Sequence, residues 1–250
     1  MITKKLAERE DLPDIEALLF YGNLVHRHLD WQDPQSWFGS RTYFVLKDNT
    51  KLLSLLVIPE EPKETEWVRL FVHSNKVNGS DCWQELWEYF ENNHHKPENT
   101  AGAIVLNNSF QNMLTNVGFL KTQNIVVLEK SGLGRFPPRF QKPEIIIRDM
   151  RYDDLDAVAD IDRRSFVPLW QNSKVSLQKG LAYQSIASVA IIDGEIGGYQ
   201  LSSIGASHVH LARLAVVPEH QKRGVGSALL ENLELNAIRN NIVTISVNTQ

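Results

Sequence analysis

The sequence predicts a mixed α/β protein made of two successive domains of one plan. Three observations lead there. A segment of three prolines and two glycines, residues 131–143, interrupts the chain near its middle. A similar order of strands and helices can be read on either side of it. The second half also holds a strand that runs through a short polar turn into a helix opening on glycines, residues 208–239. The expected division is a first domain over residues 1–130, a linker over 131–143 and a second domain over 144–250.

At 250 residues the chain has room for one large or two small domains, and 42% hydrophobic with 22% charged residues is ordinary globular composition. A net charge of −4 offers no electrostatic reason to expect nucleic acid. The single cysteine, Cys82, rules out an internal disulfide and fits a cytoplasmic setting. It falls in an expected helix, where a buried structural thiol is the expectation rather than a nucleophile. No apolar run reaches the roughly 18 residues of a membrane span. The polar, acidic N-terminus does not fit a signal peptide.

The first half opens with a strand at 2–7 and a helix at 12–24, with a second helix near 34–38. Strands at 42–46 and 51–58 form a hairpin around Asp48-Asn49. A long strand at 67–72 leads to a helix at 81–92, then a strand at 103–106. A helix at 110–117 and a strand at 122–129 close the half. Its tryptophans (Trp31, Trp37, Trp67, Trp83, Trp87) are expected in core or interface.

The second half repeats this order. A strand at 144–148 precedes Asp153 and Asp154, which open a helix carrying Leu155, Val158, Ile161 and Phe166 at approximate helical spacing. A second helix spans 173–183. Two strands over 188–201 turn at Asp193-Gly194, a strong hairpin signal. A strand at 208–217, a helix at 224–239 and a strand at 242–247 follow.

The chemistry gathers at Leu214-Ala-Val-Val-Pro218 and Gln221-Lys-Arg-Gly-Val-Gly226. A helix N-terminus presents unpaired N–H groups and the positive end of the dipole. Gly224 and Gly226 let a phosphate approach that backbone, and Lys222 and Arg223 add charge beside it. A tight strand–helix turn is the plain structural alternative, but glycine costs about 0.8–1.0 kcal/mol against alanine inside a helix. The spacing fits neither a P-loop, which needs Gly-Lys-Ser/Thr, nor a dinucleotide fingerprint, which needs a third glycine.

These residues resemble the acyl-CoA loop of the GCN5-related N-acetyltransferase (GNAT) superfamily, Gln/Arg-x-x-Gly-x-Gly/Ala after an apolar strand. The two-domain plan resembles its tandem members of the mycothiol synthase type. The resemblance implies acetyl-CoA as cosubstrate, with the backbone of Ala215, Val216 and Val217 pairing to the pantetheine arm like an added strand. It implies that Arg223, Gly224, Val225, Gly226 and Ser227 hold the pyrophosphate, that Gln221 and Lys222 also belong to the cofactor site, and that a backbone N–H near Val216 polarises the thioester carbonyl. The acceptor would be an amine on a small molecule or peptide, and the protein a monomer or homodimer. No nucleic acid, membrane or metal is expected to take part.

The halves differ against this pattern. The first lacks the Gly-x-Gly and the paired basic residues, and Leu114 stands where the family often has a general-acid tyrosine, although Gly118-Phe119 fits. It is expected to be degenerate. In the second, the family pattern continues past residue 250 with a helix and two strands, so a truncated domain with strand 242–247 as a bare edge is expected. His208 and His210 lie on one face by alternation and could serve as base or proton relay, or be ordinary strand histidines. Glu219 reads as a solvated turn residue. Phe166 and Trp170 suit either an acceptor pocket or the core. A non-catalytic acyl-CoA-binding or regulatory module is the alternative to an enzyme.

Overall fold

The computed structural model describes residues 1–28, 31–39, 42–133, 144–183 and 185–249. The chain forms two compact units, Met1–Lys121 and Thr122–Gln250. Among the described residues no helix is long and apolar enough to cross a membrane.

The first unit runs β1 (Ile2–Leu6), α1 (Leu12–Tyr21), β2 (Asn23–Arg27), β3 (Tyr43–Asp48), β4 (Lys51–Val57), β5 (Thr65–Trp67), β6 (Leu70–His73), α2 (Gly79–Asn93), β7 (Thr100–Gly102) and α3 (Asn108–Asn116). Five strands form a sheet in the order β1-β3-β4-β6-β2, and β5 pairs in parallel with β7. Strand alternation sends Phe44, Leu46, Leu56 and Phe71 to one face, where α2 and α3 bury Trp83, Trp87, Phe90 and Phe110. Val45, Leu55, Val57 and Val72 point the other way, against Ile15 and Leu18 of α1. Each such large side chain, fully buried, contributes about 1.5–3 kcal/mol.

Three expectations for this unit change. The first helix ends at Tyr21 rather than 24, and β2 follows it, antiparallel to β6. Gly22 makes this possible: a Cβ there would lie 2.5 Å from the Leu18 carbonyl oxygen and 2.9 Å from that of His73. The expected strand at 67–72 is split at Val68-Arg69, so β5 joins β7 while β6 stays with β4. The strand expected at 103–106 lies earlier, as β7. Trp67, Trp83 and Trp87 are buried, whereas Trp31 and Trp37 are only partly covered.

The second unit comprises β8 (Val126–Ser131), β9 (Ile146–Asp149), α4 (Leu155–Ser165), α5 (Lys174–Ala182), β10 (Ser185–Ile192), β11 (Glu195–Ile204), β12 (His208–Val216), α6 (Val225–Arg239) and β13 (Thr244–Thr249). Its six-stranded sheet has the order β8-β13-β12-β11-β10-β9, and only β12 and β13 are parallel. The β10–β11 hairpin turns where expected, with Asp193 at φ 53° and Gly194 at φ 87°, the left-handed pair that matches strand twist. On one face α6 buries Val225, Leu229, Leu233 and Ala237 against β10, β12 and β13.

The strand at 122–129 was expected to close the first domain at 130. It lies instead in the second unit as β8, antiparallel to β13 from Ser131↔Thr244 to Val126↔Thr249. β13 is therefore not the bare edge its sequence suggested, because β8 supplies its outer row of backbone partners. Residues 134–143 of the expected linker lie outside the described residues.

Candidate functional site

The site is set by what happens midway along β12. Its first four residues pair with β13, from His208↔Thr244 to Leu211↔Val247, and the pairing stops there. On the other side the β11 register shifts between Ser202↔Leu211 and Leu201↔Arg213, leaving Ala212 as a bulge. A bulge bends its strand and moves later side chains to the opposite face. Hence Val209, Leu211 and Leu214 all pack toward α6, although Leu214 breaks the two-residue period. Beyond the bulge, no described strand covers the outer edge of β12.

Backbone alternation decides which amides face that edge. Val217 N–H donates to the Gly197 carbonyl at 3.0 Å, so this pair is hydrogen-bonded within the sheet. Two-residue alternation then turns Leu214 and Val216 outward and Ala215 inward, toward Tyr199 of β11. Of the three strand residues expected at the cofactor, Val216 faces outward, whereas the Val217 N–H is committed to Gly197 and Ala215 faces β11; Leu214, which was not among them, also faces outward. The Val216 carbonyl accepts from Gln221 Nε2 at 3.1 Å and from Ser165 Oγ at 3.3 Å, which ties loop and α4 to this point.

The loop then delivers a helix start to the same edge. Lys222 has φ 58° and Gly224, the N-cap of α6, has φ 92° and ψ 6°. The Gly224 carbonyl accepts from Ala228 N–H at 3.0 Å, the first helical bond. The amides of Val225, Gly226 and Ser227 therefore have no intrahelical acceptor, and no side chain caps them. Gly198 lets the loop settle on β11, because a Cβ there would lie 2.9 Å from the Ala215 carbonyl oxygen and 3.2 Å from Val225 Cγ1. Gly226 is different: a Cβ would meet only Leu214 Cδ2 at 3.7 Å and Val216 Cγ2 at 3.9 Å, ordinary contacts. The fold has room for alanine there. Gln221, Lys222, Arg223 and Ser227 are exposed, and Arg223 Nη1 lies 3.0 Å from His220 Nδ1. A pocket of about 220 Å³ beside the helix start is lined by Glu144, Ile145, Ile192, Lys222, Arg223 and Val225. It does not include the open edge of β12.

The corresponding place in the first unit is closed twice over. The outer edge of β6 is paired with β2, and His28 N–H donates to the Arg69 carbonyl at 2.8 Å as that pairing ends. The start of α2 is capped, since Asn78 Oδ1 accepts from Ser80 and Asp81 N–H at 2.8 and 3.4 Å. Asp81 adds a negative charge to that first turn. Both features oppose an anion.

Two candidate proton-transfer groups, His208 and His210, lie on the half of β12 that pairs with β13. His208 is exposed; His210 is half-buried, with Nδ1 3.0 Å from Ser246 Oγ. Burial, and secondarily the neighbouring His208, holds the His210 imidazole below its usual 6.5. Glu219 is exposed and pairs with Arg164 at 2.5 Å, as suits a turn residue. Cys82 is buried in α2 and burial pushes its thiol up to about 11, so it behaves as a structural residue.

One cluster escaped the sequence reading. Asp162, fully buried on α4, accepts from Arg213 Nε (2.7 Å) and Nη2 (3.0 Å), Tyr199 Oη (2.5 Å) and Asn172 N–H (2.7 Å). Arg213 also donates to the Trp170 carbonyl and lies 3.6 Å over the Phe166 ring. Phe166 and Trp170 are partly buried and held by this arrangement. An acid directly after Ile161 on the apolar face of α4 was the available signal.

Similarity to known proteins agrees with this geometry. Residues 184–250 match the family described as an acetyltransferase (GNAT) domain, a span that contains β10 to β13 and the glycine loop. An uncharacterized N-acetyltransferase of Methanocaldococcus jannaschii is 39% identical over 90 residues, 36% of this chain and 57% of that protein. The match thus spans little more than half of that relative's length. The crystal structure of a GCN5-related N-acetyltransferase from Sphaerobacter thermophilus superposes with a TM-score of 0.59 at 14% identity, over 99% of this chain and 86% of that one. A tandem GNAT protein from the clavulanic acid biosynthesis pathway gives 0.58 at 11% identity, over 100% and 89%. The fold is therefore mixed α/β of the GNAT type, with a tandem protein among its structural neighbours. None of these similarities singles out the mycothiol synthase type.

Proposed function

We propose that the second unit is an acetyl-CoA-dependent N-acetyltransferase acting on an amine of a small molecule or peptide, and that the first unit binds no acyl-CoA. The observation that carries this reading is the meeting of an open strand edge, at Leu214 and Val216, with an uncapped, glycine-bearing helix start. A pantetheine arm carries amides that can pair with the strand edge, and a pyrophosphate suits the helix N-terminus. Acetyl-CoA, when bound, supplies the activated acyl group. The residues present fit it: three free amides, flanking Lys222 and Arg223, and a Gly226 whose missing Cβ the fold does not require.

In this reading the loop residues from Gln221 to Ser227 bind the pyrophosphate. The outward N–H of Leu214 or Val216 would donate to the thioester carbonyl oxygen of bound acetyl-CoA, where the amine forms its bond to the acyl carbon as the C–S bond breaks and CoA leaves as the thiol. The Val216 carbonyl is held by Gln221 and Ser165, which ties the strand at this residue to the loop and to α4. His210, neutral at pH 7, accepts the proton of the incoming ammonium directly or through water, with Ser246 holding the ring. Asp162 and Tyr199 are excluded as proton carriers, because the carboxylate is saturated by four donors and the Tyr199 hydroxyl is one of them.

Calorimetric titration of the full chain with acetyl-CoA tests the reading. One site per chain is expected, lost when Gly224 and Gly226 are both replaced by valine. No binding, or two equivalent sites, defeats it. The amine is then found by thiol release over an acceptor panel.

A further inference from the structure

We infer that Asp162 and Arg213 are positioning residues that fix the segment 166–172 as the acceptor-side wall of the β12 opening. The inference rests on the acetyltransferase reading and deepens it.

The bulge at Ala212 is the starting point. Val209 and Leu211 face α6, so regular alternation would drive Arg213 into that apolar core as well. The bulge rotates it onto the face covered by α4, which is also the face of His210. There its guanidinium does three things at once: it grips both oxygens of Asp162, donates to the Trp170 carbonyl and covers the Phe166 ring. Asp162 in turn holds Asn172 N–H. Gln171 Nε2 donates to the Arg163 and Phe166 carbonyls at 3.1 and 3.0 Å, closing the segment on itself. Both ends of 166–172 are thus tied to the bulged strand, one residue from Leu214, while Ser165 reaches the Val216 carbonyl.

A buried ion pair is often replaceable by apolar residues at little loss of stability, so its presence beside the open edge is weak evidence for a role in stability alone. Only Arg presents the planar fork that can hold a carboxylate and a backbone carbonyl together. The wall it fixes lies on the opposite side of β12 from α6, where an amine must approach if the cofactor enters along the loop. Acceptor binding is therefore the step this pair controls.

The test uses the full chain with acetyl-CoA and a primary amine that the wild-type protein acetylates in a thiol-release assay. The variants are Arg213→Lys and the apolar pair Asp162→Leu with Arg213→Met. The apolar pair leaves the Tyr199 hydroxyl and the Asn172 N–H without their acceptor, so it is expected to melt below the wild type yet fold and bind acetyl-CoA within about threefold, while acceptor KM rises about tenfold or more, as small misplacements do. Amide hydrogen exchange should accelerate at 166–172 and not in α6. Arg213→Lys, which keeps the charge and loses the fork, should show the same KM effect without rescue. Wild-type acceptor KM in either folded variant overturns the inference while leaving the acetyltransferase reading intact. Absence of acetyl-CoA binding by the wild type overturns both.

Discussion

Gly224 and Gly226 sit two residues apart and have opposite reasons to be glycine. Gly224 is held at φ 92°, so alanine there should cost about 1–2 kcal/mol of stability. Gly226 is in ordinary helix with room for a Cβ, so Gly226→Ala should keep or raise stability by up to about 1 kcal/mol. Its acetyl-CoA affinity should nevertheless fall. Melting curves and titration on the two single variants check this. A Gly226→Ala protein that binds as well as the wild type would remove the ligand argument at that position. His210 yields a pH prediction. Burial lowers its pKa, so the ring stays neutral through pH 7, and the acidic limb of kcat/KM should fall below pH 6.5. His210→Gln should erase that limb and lower kcat by about 10²–10⁴, with acetyl-CoA binding unchanged. The loop was legible in the sequence because glycine and paired basic residues before a helix have few other uses. The outward direction of Leu214, and the inward one of Ala215 and Val217, were not, since backbone parity depends on the bulge at Ala212, and alanine in an apolar run announces no bulge.

At the scale of elements, the helix starts carry a repeat that the overall sequence conceals. In the first unit Asp11 precedes α1, accepts from Glu8 N–H at 2.9 Å and is paired by Lys47 at 2.6 Å. In the second, Asp154 precedes α4, accepts from Arg151 N–H at 2.8 Å and is paired by Arg148 at 2.6 Å. Each aspartate is followed by a leucine, Leu12 or Leu155, and each closes a single 3-10 turn of the same backbone geometry. The Arg148 hydrogen bond is the main cause holding the Asp154 carboxyl below its usual range. That contribution is full above the unfolded value of about 3.9 and disappears as pH falls through the lowered folded value. Asp154→Asn should therefore cost about 1–3 kcal/mol at pH 6 and progressively less toward pH 3, read by denaturant melts at both pH values. Helices α4 and α5 and the Asp193-Gly194 hairpin were legible because the acidic start of α4, the Ser173 cap of α5 and a turn glycine act locally. β2 was not, since Leu24 and Val25 continue a helical pattern as well as a strand, and only Gly22 and the waiting edge of β6 decide.

At the scale of the whole molecule, the two sheets differ at the edge beyond β6 and β12: β2 fills it in the first unit, and nothing described fills it beyond the bulge in the second. The chain should therefore bind a single acetyl-CoA. Disrupting β2 with Val25→Pro should not create a second strong site, because Asn78 still caps α2 and no basic pair precedes it. A measured stoichiometry of two in that variant would show that the strand alone excludes the ligand. The place of β8 also redraws the useful boundary for dissection. A fragment starting at residue 122 keeps the outer partner of β13, whereas one starting at 144 exposes that edge. The shorter fragment should melt lower and self-associate, which light scattering would report. Sequence pattern identified β8 as a strand but carried no information on which sheet would receive it.

β8 also has a consequence for the order of events during synthesis. It leaves the ribosome before any other strand of its sheet, and its partner β13 leaves last. The first unit can close while translation continues. The second must keep an apolar strand waiting for nearly its whole length, a pairing remote enough in sequence to form slowly. Until translation reaches β13, the backbone of Val126–Ser131 waits without the ladder that β13 supplies, and its apolar side chains stay exposed even afterwards.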